Sequence, residues 1–506
     1  ILEQQQRMTL RRAISSSSSL FYFHWSPSRK QVHVGGNHWV RWGFQSSLLS
    51  TSTTVTETSS STIATSSSLA SNKSSSLVSL HHELCRYDSS LPINRAQTPP
   101  SSWYTWPEVY AWEKQQVFQE NWIAVDIIRA TEPGSYQTGV FQDQPYLITH
   151  NSKGNIQAFY NVCTHAGSCL VGPWTDTSSQ LGCNHKTKDS PFNQICSGRL
   201  EGSEQQRRGL QCPYHGWQFN LDGRLIKTTK MKGIQDFTNK QYDLRPIESM
   251  VVGPILYLKF DSNKNRNDTC EDQDVTTKFR HTMSLLQERI TTNGFVGDFS
   301  DLTFVESTSY PIKCNWKVFI DNYGDGCYHC SYAHKDLSSN IDESLYMTDL
   351  VTPDLSIQYA PPQVAAATTR FGTQHSAVYA FLYPNIMYNR YGPWLDVDIV
   401  HPISESSSLI VKAWYIEKSM LEEEQEQDQG TIQQGKSHVA KFIEESIRSS
   451  SRVHDEDVFL CENVQRGMKS NGFDRGRYVP EKQIASYHFH QRLASDMQKS
   501  SALDQT

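Results

Sequence analysis

Residues 315–334 read N-W-K-V-F-I-D-N-Y-G-D-G-C-Y-H-C-S-Y-A-H, and the rest of the chain is best read outward from them. The stretch ends in His329 and His334, five residues apart, with Asp321 and Asp325 before them. Side chains at i and i+4 are near neighbours on a helix, so this spacing roughly keeps both imidazoles on one face. Two histidines and one carboxylate with open positions form a set that suits non-heme Fe(II). Alone the pattern is weak, because histidine pairs beside acids also occur as satisfied surface pairs.

Upstream lies a second set of donors. Cys163-Thr164-His165-Ala166-Gly167 is followed by Cys212-Pro213-Tyr214-His215-Gly216-Trp217. Each segment offers one thiolate and one imidazole. Two Cys on one iron and two His on the other is the Rieske arrangement of a [2Fe–2S] cluster. Two Cys and two His also satisfy a tetrahedral zinc site, which stays open as the structural alternative. A further C-x-H, Cys183-Asn184-His185, has no C-x-x-H completion near Cys196 and reads as a decoy in an exposed loop.

Composition narrows the class. A chain of 506 residues holds two or three domains with real cores. The formal net charge of −6 argues against nucleic acid as the main partner. No apolar run reaches the ~20 residues that cross a bilayer. Eleven cysteines are too sparse for a disulfide scaffold. Residues 1–80 are rich in Ser and Thr, with Arg7, Arg11, Arg12, Arg29, Lys30 and Arg41 against only Glu3 and Glu57 as acids. That balance fits an organelle transit peptide, with a disordered tail as the alternative.

Folded structure is expected from about residue 98. Pro107 to Trp122 has helical spacing with Pro107 in the first turn. Short strands follow at 123–128, 136–141, 146–149 and 157–160, separated by turn signals such as Lys153-Gly154-Asn155. Trp217–Phe219 and Ile255–Phe260 continue the pattern, and residues 261–276 form a polar connection. This bounds an all-β domain at 98–262. Residues 172–209, rich in Ser, Gln, Lys and Arg, read as a loop inserted into it. A second domain, 275–506, opens with a helix over 275–292 and a strand over 303–310.

The paired Cys/His loops followed by N-x(6)-H-x(4)-H resemble the Rieske non-heme iron oxygenases, and within them the plant-type choline monooxygenases. The segments that carry the likeness are residues 321–337, D-N-Y-G-D-G-C-Y-H-C-S-Y-A-H-K-D-L, residues 383–394, Y-P-N-I-M-Y-N-R-Y-G-P-W, and S-S-W-Y-T at 101–105. The resemblance covers roughly 98–490 apart from the 172–209 insertion. It implies an α+β chain: an all-β Rieske domain, then a helix-flanked, START-like antiparallel sheet. It also implies that Cys163, His165, Cys212 and His215 bind the cluster. Tyr214 stands where respiratory-chain Rieske proteins carry a disulfide cysteine, and Cys169 has no partner in that loop, which suits the oxygenase type.

The same likeness implies His329, His334 and Asp457 as iron ligands, the last from His454-Asp455-Glu456-Asp457, with Asp455 and Glu456 as surface acids. Asp325 is implied as the carboxylate that bridges the two metal centres between subunits, although many members place that acid one residue later, where this chain has Gly326. Asn322 is implied to line the site. The activity implied is oxidation of choline to betaine aldehyde hydrate, the first step of glycine betaine synthesis, with O2 and reduced ferredoxin. A head-to-tail trimer in the chloroplast stroma goes with it, another plastid or the mitochondrial matrix being the alternative places. A carnitine-type oxygenase and a non-catalytic Rieske electron carrier are the alternative functions.

Tyr379, Phe381 and Tyr383 alternate along a strand, and Tyr391 and Trp394 follow. These rings are candidates for a cage around a quaternary ammonium, against ordinary core packing. Residues 430–437, G-T-I-Q-Q-G-K-S, match a phosphate-binding loop formally. The acids at 422–424, 426 and 428 would repel phosphate, so a flexible loop is expected there.

Overall fold

The computed structural model describes residues 79–172, 196–200, 209–260, 270–292, 298–362, 376–427 and 438–499. The leader up to residue 78, most of the 172–209 insertion including Cys183 and His185, the start of the 261–276 connection and the 430–437 segment lie outside the described residues.

A helix, α1 (Pro107–Glu113), opens with Pro at its first position, where no backbone donor is lost. It widens into a π-turn over Lys114–Phe118 and stops short of Trp122, earlier than its apolar spacing suggests. The strands that follow are β1 (Ile123–Ile127), β2 (Ser135–Phe141), β3 (Gln144–His150), β4 (Ile156–Tyr160), β5 (Cys196–Arg199), β6 (Leu210–Gln211), β7 (Gln218–Phe219), β8 (Leu225–Lys227), β9 (Pro246–Val252) and β10 (Ile255–Lys259). They make an antiparallel sheet in the order β1-β10-β9-β4-β3-β2-β5 and a small sheet β6-β7-β8. The inserted region is not all loop: Cys196–Arg199 pairs with β2 from Thr138 to Ser135, giving that edge a partner.

The second domain opens with α2 (Cys270–Thr292). Its sheet holds β11 (Leu302–Ile312), then α3 (Trp316–Tyr323) and a one-turn helix α4 (Cys330–Ala333), then β12 (Met347–Thr352), β13 (Leu355–Ala360), β14 (Ala377–Leu382), β15 (Ile386–Tyr391), β16 (Trp394–Ser404) and β17 (Ser407–Glu417). The strand order is β11-β17-β16-β15-β14-β13-β12, antiparallel throughout. The helices α5 (His438–Met468) and α6 (Ile484–Met497) complete it.

Period-two alternation divides the sheet. On β16, Leu395, Val397 and Ile399 share a core with Phe279, Met283, Leu286 and Ile290 of α2. Their neighbours Trp394, Asp396 and Asp398 face the other way. On that second face Phe381, Tyr383 and Met387 pack with Phe489 and Leu493 of α6, and Trp394 and Trp414 pack beside Phe442 and Ile443 of α5. Among the described residues no helix is long and apolar enough to cross a membrane.

Helix α3 is fixed at its start. Asn315 caps it by accepting the Lys317 N–H at 3.1 Å, and its own N–H donates to Gln465 Oε1 of α5 at 2.7 Å. Trp316 Nε1 donates to Glu113 Oε2 at 2.8 Å, and Lys317 Nζ forms an ion pair with Glu113 Oε1, both side chains being fully buried. Breaking such a pair strands a charge and costs about 3–5 kcal/mol, whereas replacing both partners with apolar groups is close to neutral. Glu113→Gln is therefore expected to lower unfolding stability by about 3–5 kcal/mol in a denaturant titration, and Lys317→Met combined with Glu113→Leu to recover most of it. Equal stability of Glu113→Gln and the parent protein would contradict this role.

Candidate metal centres and the cavity beside them

The two Cys/His loops fold alike. The first follows β4 and the second joins β6 to β7. In each, the glycine four residues after the cysteine donates its N–H to the cysteine carbonyl, Gly167 to Cys163 at 2.9 Å and Gly216 to Cys212 at 3.0 Å. Both glycines have φ +73°, a left-handed turn that a side chain would strain. The turns bring His165 and His215 to a ring distance of 4.6 Å, and Trp217 stacks on His165 at 4.5 Å. Both sulfurs are buried while both imidazoles are exposed at the tip.

Burial pushes the Cys163 thiol up to about 11; the N–H of His165 pulls it back and the neighbouring Cys212 adds to the rise. A thiol raised in that way becomes a thiolate readily only with a metal to take the charge. Two buried sulfurs, two exposed imidazoles and backbone N–H groups of His165 and Ala166 aimed at sulfur fit a [2Fe–2S] cluster. Cys169 is a free thiol, and Tyr214 is 65% exposed.

The second centre draws on two distant segments. His329 caps the start of α4 and His334 its end, so the pair flanks a single turn rather than sharing one face of a longer helix. Their Nε2 atoms lie 3.0 Å apart, and Asp457 Oδ1 of α5 is 3.0 Å from His334 Nε2 and 3.6 Å from His329 Nε2. His329, His334 and Asp457 form a group whose donor atoms all lie within 4.8 Å of one another, the convergence a mononuclear iron needs. Asn322 Nδ2 donates to Asp457 Oδ1 at 2.7 Å.

Each histidine has its outer nitrogen tied down. His329 Nδ1 donates to Asp325 Oδ2 at 2.5 Å, and His334 Nδ1 donates to Glu456 Oε2 at 2.7 Å. Such contacts fix the tautomer and aim Nε2 at the metal. Burial alone would lower the His329 pKa, but its bonds to Asp325 and Asp457 outweigh burial and push it up to about 10. Burial would raise Asp457, yet His329 and His334 hold it well below the usual carboxylate range.

Several expectations need correction. Glu456 is not a mere surface acid, since it holds His334; Asp455 does lie on the outer face, beside Tyr332 and Phe459. Asp321 turns away to accept from Tyr104 Oη at 2.8 Å. Of the five proposed cage rings, only Tyr379 and Tyr391 line the cavity beside the triad. Phe381 and Tyr383 share the strand face of Tyr379 but are covered by Phe489, and Trp394 is sealed against Phe442.

That cavity, about 140 Å³, is also lined by Tyr323, Tyr346, His454, Asn389, Asp396, Asp398 and Lys412, which the sequence reading passed over. The Asp-x-Asp of an otherwise apolar strand was the available signal, since charges are seldom fully buried without a partner. His454, edge-on to Tyr310 at 4.5 Å, is lowered to about 4 by burial and stays neutral. Cys327 and Cys330 bracket His329 and form a disulfide on the cavity wall.

Asp457→Ala is expected to abolish retention of mononuclear iron while leaving the Rieske absorption intact. Glu456→Ala, which frees His334 Nδ1, should weaken iron about 10–100-fold, read as iron content after dialysis against graded chelator. Wild-type iron retention in Glu456→Ala would make that carboxylate a bystander.

Comparison with known proteins agrees with this geometry. The Rieske [2Fe-2S] domain family matches residues 121–238, and the ring hydroxylating alpha subunit (catalytic domain) family matches residues 299–499. The chain is 34% identical to choline monooxygenase, chloroplastic, of Arabidopsis thaliana, covering 80% of this chain and 84% of that protein. It is 25% identical to the carnitine monooxygenase oxygenase subunit of Acinetobacter baumannii, covering 78% and 92%. The crystal structure of a quaternary ammonium Rieske monooxygenase with L-carnitine superposes with a TM-score of 0.59 at 22% identity, over 81% of this chain and 99% of that one. The catalytic domain leaves no room for a bare electron carrier, and the chain belongs to the Rieske non-heme iron oxygenases, enzymes with a Rieske [2Fe–2S] domain ahead of an iron-binding catalytic domain.

Proposed function

We propose that this chain oxidises choline to betaine aldehyde hydrate, the first step of glycine betaine synthesis, with reduced ferredoxin as electron donor in the chloroplast stroma. The observation that carries the reading is the cavity: Tyr323, Tyr346, Tyr379 and Tyr391 line the space next to His329, His334 and Asp457. Aromatic faces attract a quaternary ammonium by ~0.5–2 kcal/mol each. The chloroplastic choline monooxygenases among the relatives support the same substrate and compartment.

The cluster supplies single electrons and the iron, when bound, the activation of O2. One oxygen atom enters the alcohol carbon and the other leaves as water, with two electrons and two protons consumed. The protein's own part is positional. Asp325 and Glu456 keep the Nδ1 protons in place so that both Nε2 atoms are free to coordinate. Asn322 fixes the Asp457 oxygen that faces them. Buried walls keep bulk water from the reacting carbon.

Asp325 has a further part in this reading. It links His329 to a Rieske histidine of the next subunit in a head-to-tail oligomer. The exposed His165 and His215 support this contact, as does the engaged Asp325 Oδ2.

Incubation with choline, carnitine and aromatic candidates, with products identified by mass spectrometry, tests the substrate. Betaine aldehyde hydrate from choline is expected; turnover of carnitine without choline overturns the reading. Asp325→Asn keeps the shape but loses the charge, so both metals should remain while single-turnover oxidation of the reduced cluster slows at least about tenfold. A wild-type rate in that variant would place the electron path elsewhere.

A further inference from the structure

The sheet wall of the cavity carries more negative charge than its own lysine balances. Asp396 and Asp398 of β16 and Lys412 of β17 lie on one face and are 2%, 5% and 4% exposed. Lys412 Nζ is 2.6 Å from Asp396 Oδ2 and 3.1 Å from Asp398 Oδ2. Asn389 Nδ2 donates to Asp398 Oδ2 at 3.1 Å, and Tyr323 Oη donates to Asn389 Oδ1 at 2.9 Å. Asp396 Oδ1 is buried and has no hydrogen-bond partner among the described residues. Lys412 is the sole Lys or Arg among the described lining residues, so two carboxylates share one ammonium.

Burying a carboxylate without a full counter-charge is costly, and the usual relief is a proton or a cation. Burial pushes the Asp398 carboxyl up against the pull of Lys412, and the Asp396 charge adds to the rise. Tyr379 lies across from Asn389, which lies across from Asp396, so a ring face and the free carboxylate oxygen belong to one row of the sheet.

We propose that Asp396 and Asp398, pinned by Lys412, are the counter-charge for the ammonium head of the substrate, and that they restrict the cavity to cations that carry no carboxylate. The inference rests on the choline reading for the identity of the cation. A trimethylammonium head has no N–H to donate. It is recognised by diffuse charge and by ring faces, and Asp396, Asp398 and Tyr379 all line the cavity. A carnitine-like substrate would bring its own carboxylate toward two others, with the nearby lysine already engaged on both.

The test compares choline with 3,3-dimethylbutan-1-ol, its uncharged carbon isostere, and with tetramethylammonium, which has the charge but no alcohol. In the holoenzyme, Asp396→Asn is expected to raise KM for choline about 30-fold or more with kcat changed far less, to weaken tetramethylammonium binding by calorimetry to the same extent, and to leave KM for the isostere unchanged. Asp398→Asn removes the surplus charge from the other side of Lys412 and should give the same pattern, which keeps the test alive if the first variant does not fold. The double variant Asp396→Asn with Asp398→Asn frees Lys412 and should gain carnitine binding. Equal losses for choline and the isostere, or unchanged tetramethylammonium binding in both single variants, overturn the subsite. A parent enzyme that binds tetramethylammonium through Asp396 but does not oxidise choline overturns the choline reading and leaves the subsite standing.

Discussion

Two segments more than a hundred residues apart must deliver three donor atoms to one point, and the catalytic domain is built around that constraint. His329 and His334 come from the turn after α3, while Asp457 comes from the middle of α5. The two helices are locked at several levels. The Asn315 N–H reaches Gln465, the Cys461 thiol packs on the Val318 carbonyl at 3.9 Å, and Asn322 reaches Asp457. Below them the Glu113–Lys317 pair ties α3 to α1. Movement of α3 along its axis would break the cap, the ion pair and the metal site together. The site is therefore positioned by helix packing, with the loop between the histidines only one turn long.

The same helices leave one face of the antiparallel sheet incompletely covered, and that gap is the cavity. Toward one end Phe489 of α6 closes the face over Phe381 and Tyr383. Toward the other Phe442 of α5 closes it over Trp394. Between them the wall turns polar, with Asn389, Asp396, Asp398 and Lys412 at neighbouring register positions. Polar groups at the centre of a sheet face are expensive unless something uses them. The closure at both ends is apolar and the middle is charged, and the charged middle is the part that lines the cavity.

What could be read from the sequence was what is local along the chain. The Cys163 and Cys212 loops carry donors and turn glycines within five residues, and the structure keeps the turn in both. Strand alternation gave the antiparallel β units, and the spacing of His329 and His334 sits within one short loop. Asp457 needed the likeness to a family, because three acids in succession look alike on a helix surface. Glu456 and Asp457 lie on adjacent positions of α5, and only the phase of that helix against His334 makes one an anchor for Nδ1 and the other a donor toward Nε2. Three of the five cage rings, Phe381, Tyr383 and Trp394, fall outside the cavity for a similar reason. Alternation puts Tyr379, Phe381 and Tyr383 on one face correctly, but nothing in the strand itself shows that α6, a hundred residues later, covers two of them.

The position of Asp325 follows from backbone geometry. Gly326 has φ +68°, and a Cβ there would lie 2.1 Å from the Lys482 carbonyl oxygen, which is backbone and cannot swing aside. An acid at 326 is thus sterically forbidden in this loop. Asp325, one residue earlier, places Oδ2 against His329 Nδ1 and accepts the Tyr328 N–H on Oδ1 at 3.2 Å. Cys327 next to it also takes a positive φ of 58°, so the chain turns sharply through both residues before His329. That turn converts a four-residue separation into a direct contact. The acid can move along the sequence while its contact with His329 is kept, because the carboxylate is selected by its distance to the imidazole and the backbone between them is free to adapt only where glycine allows it.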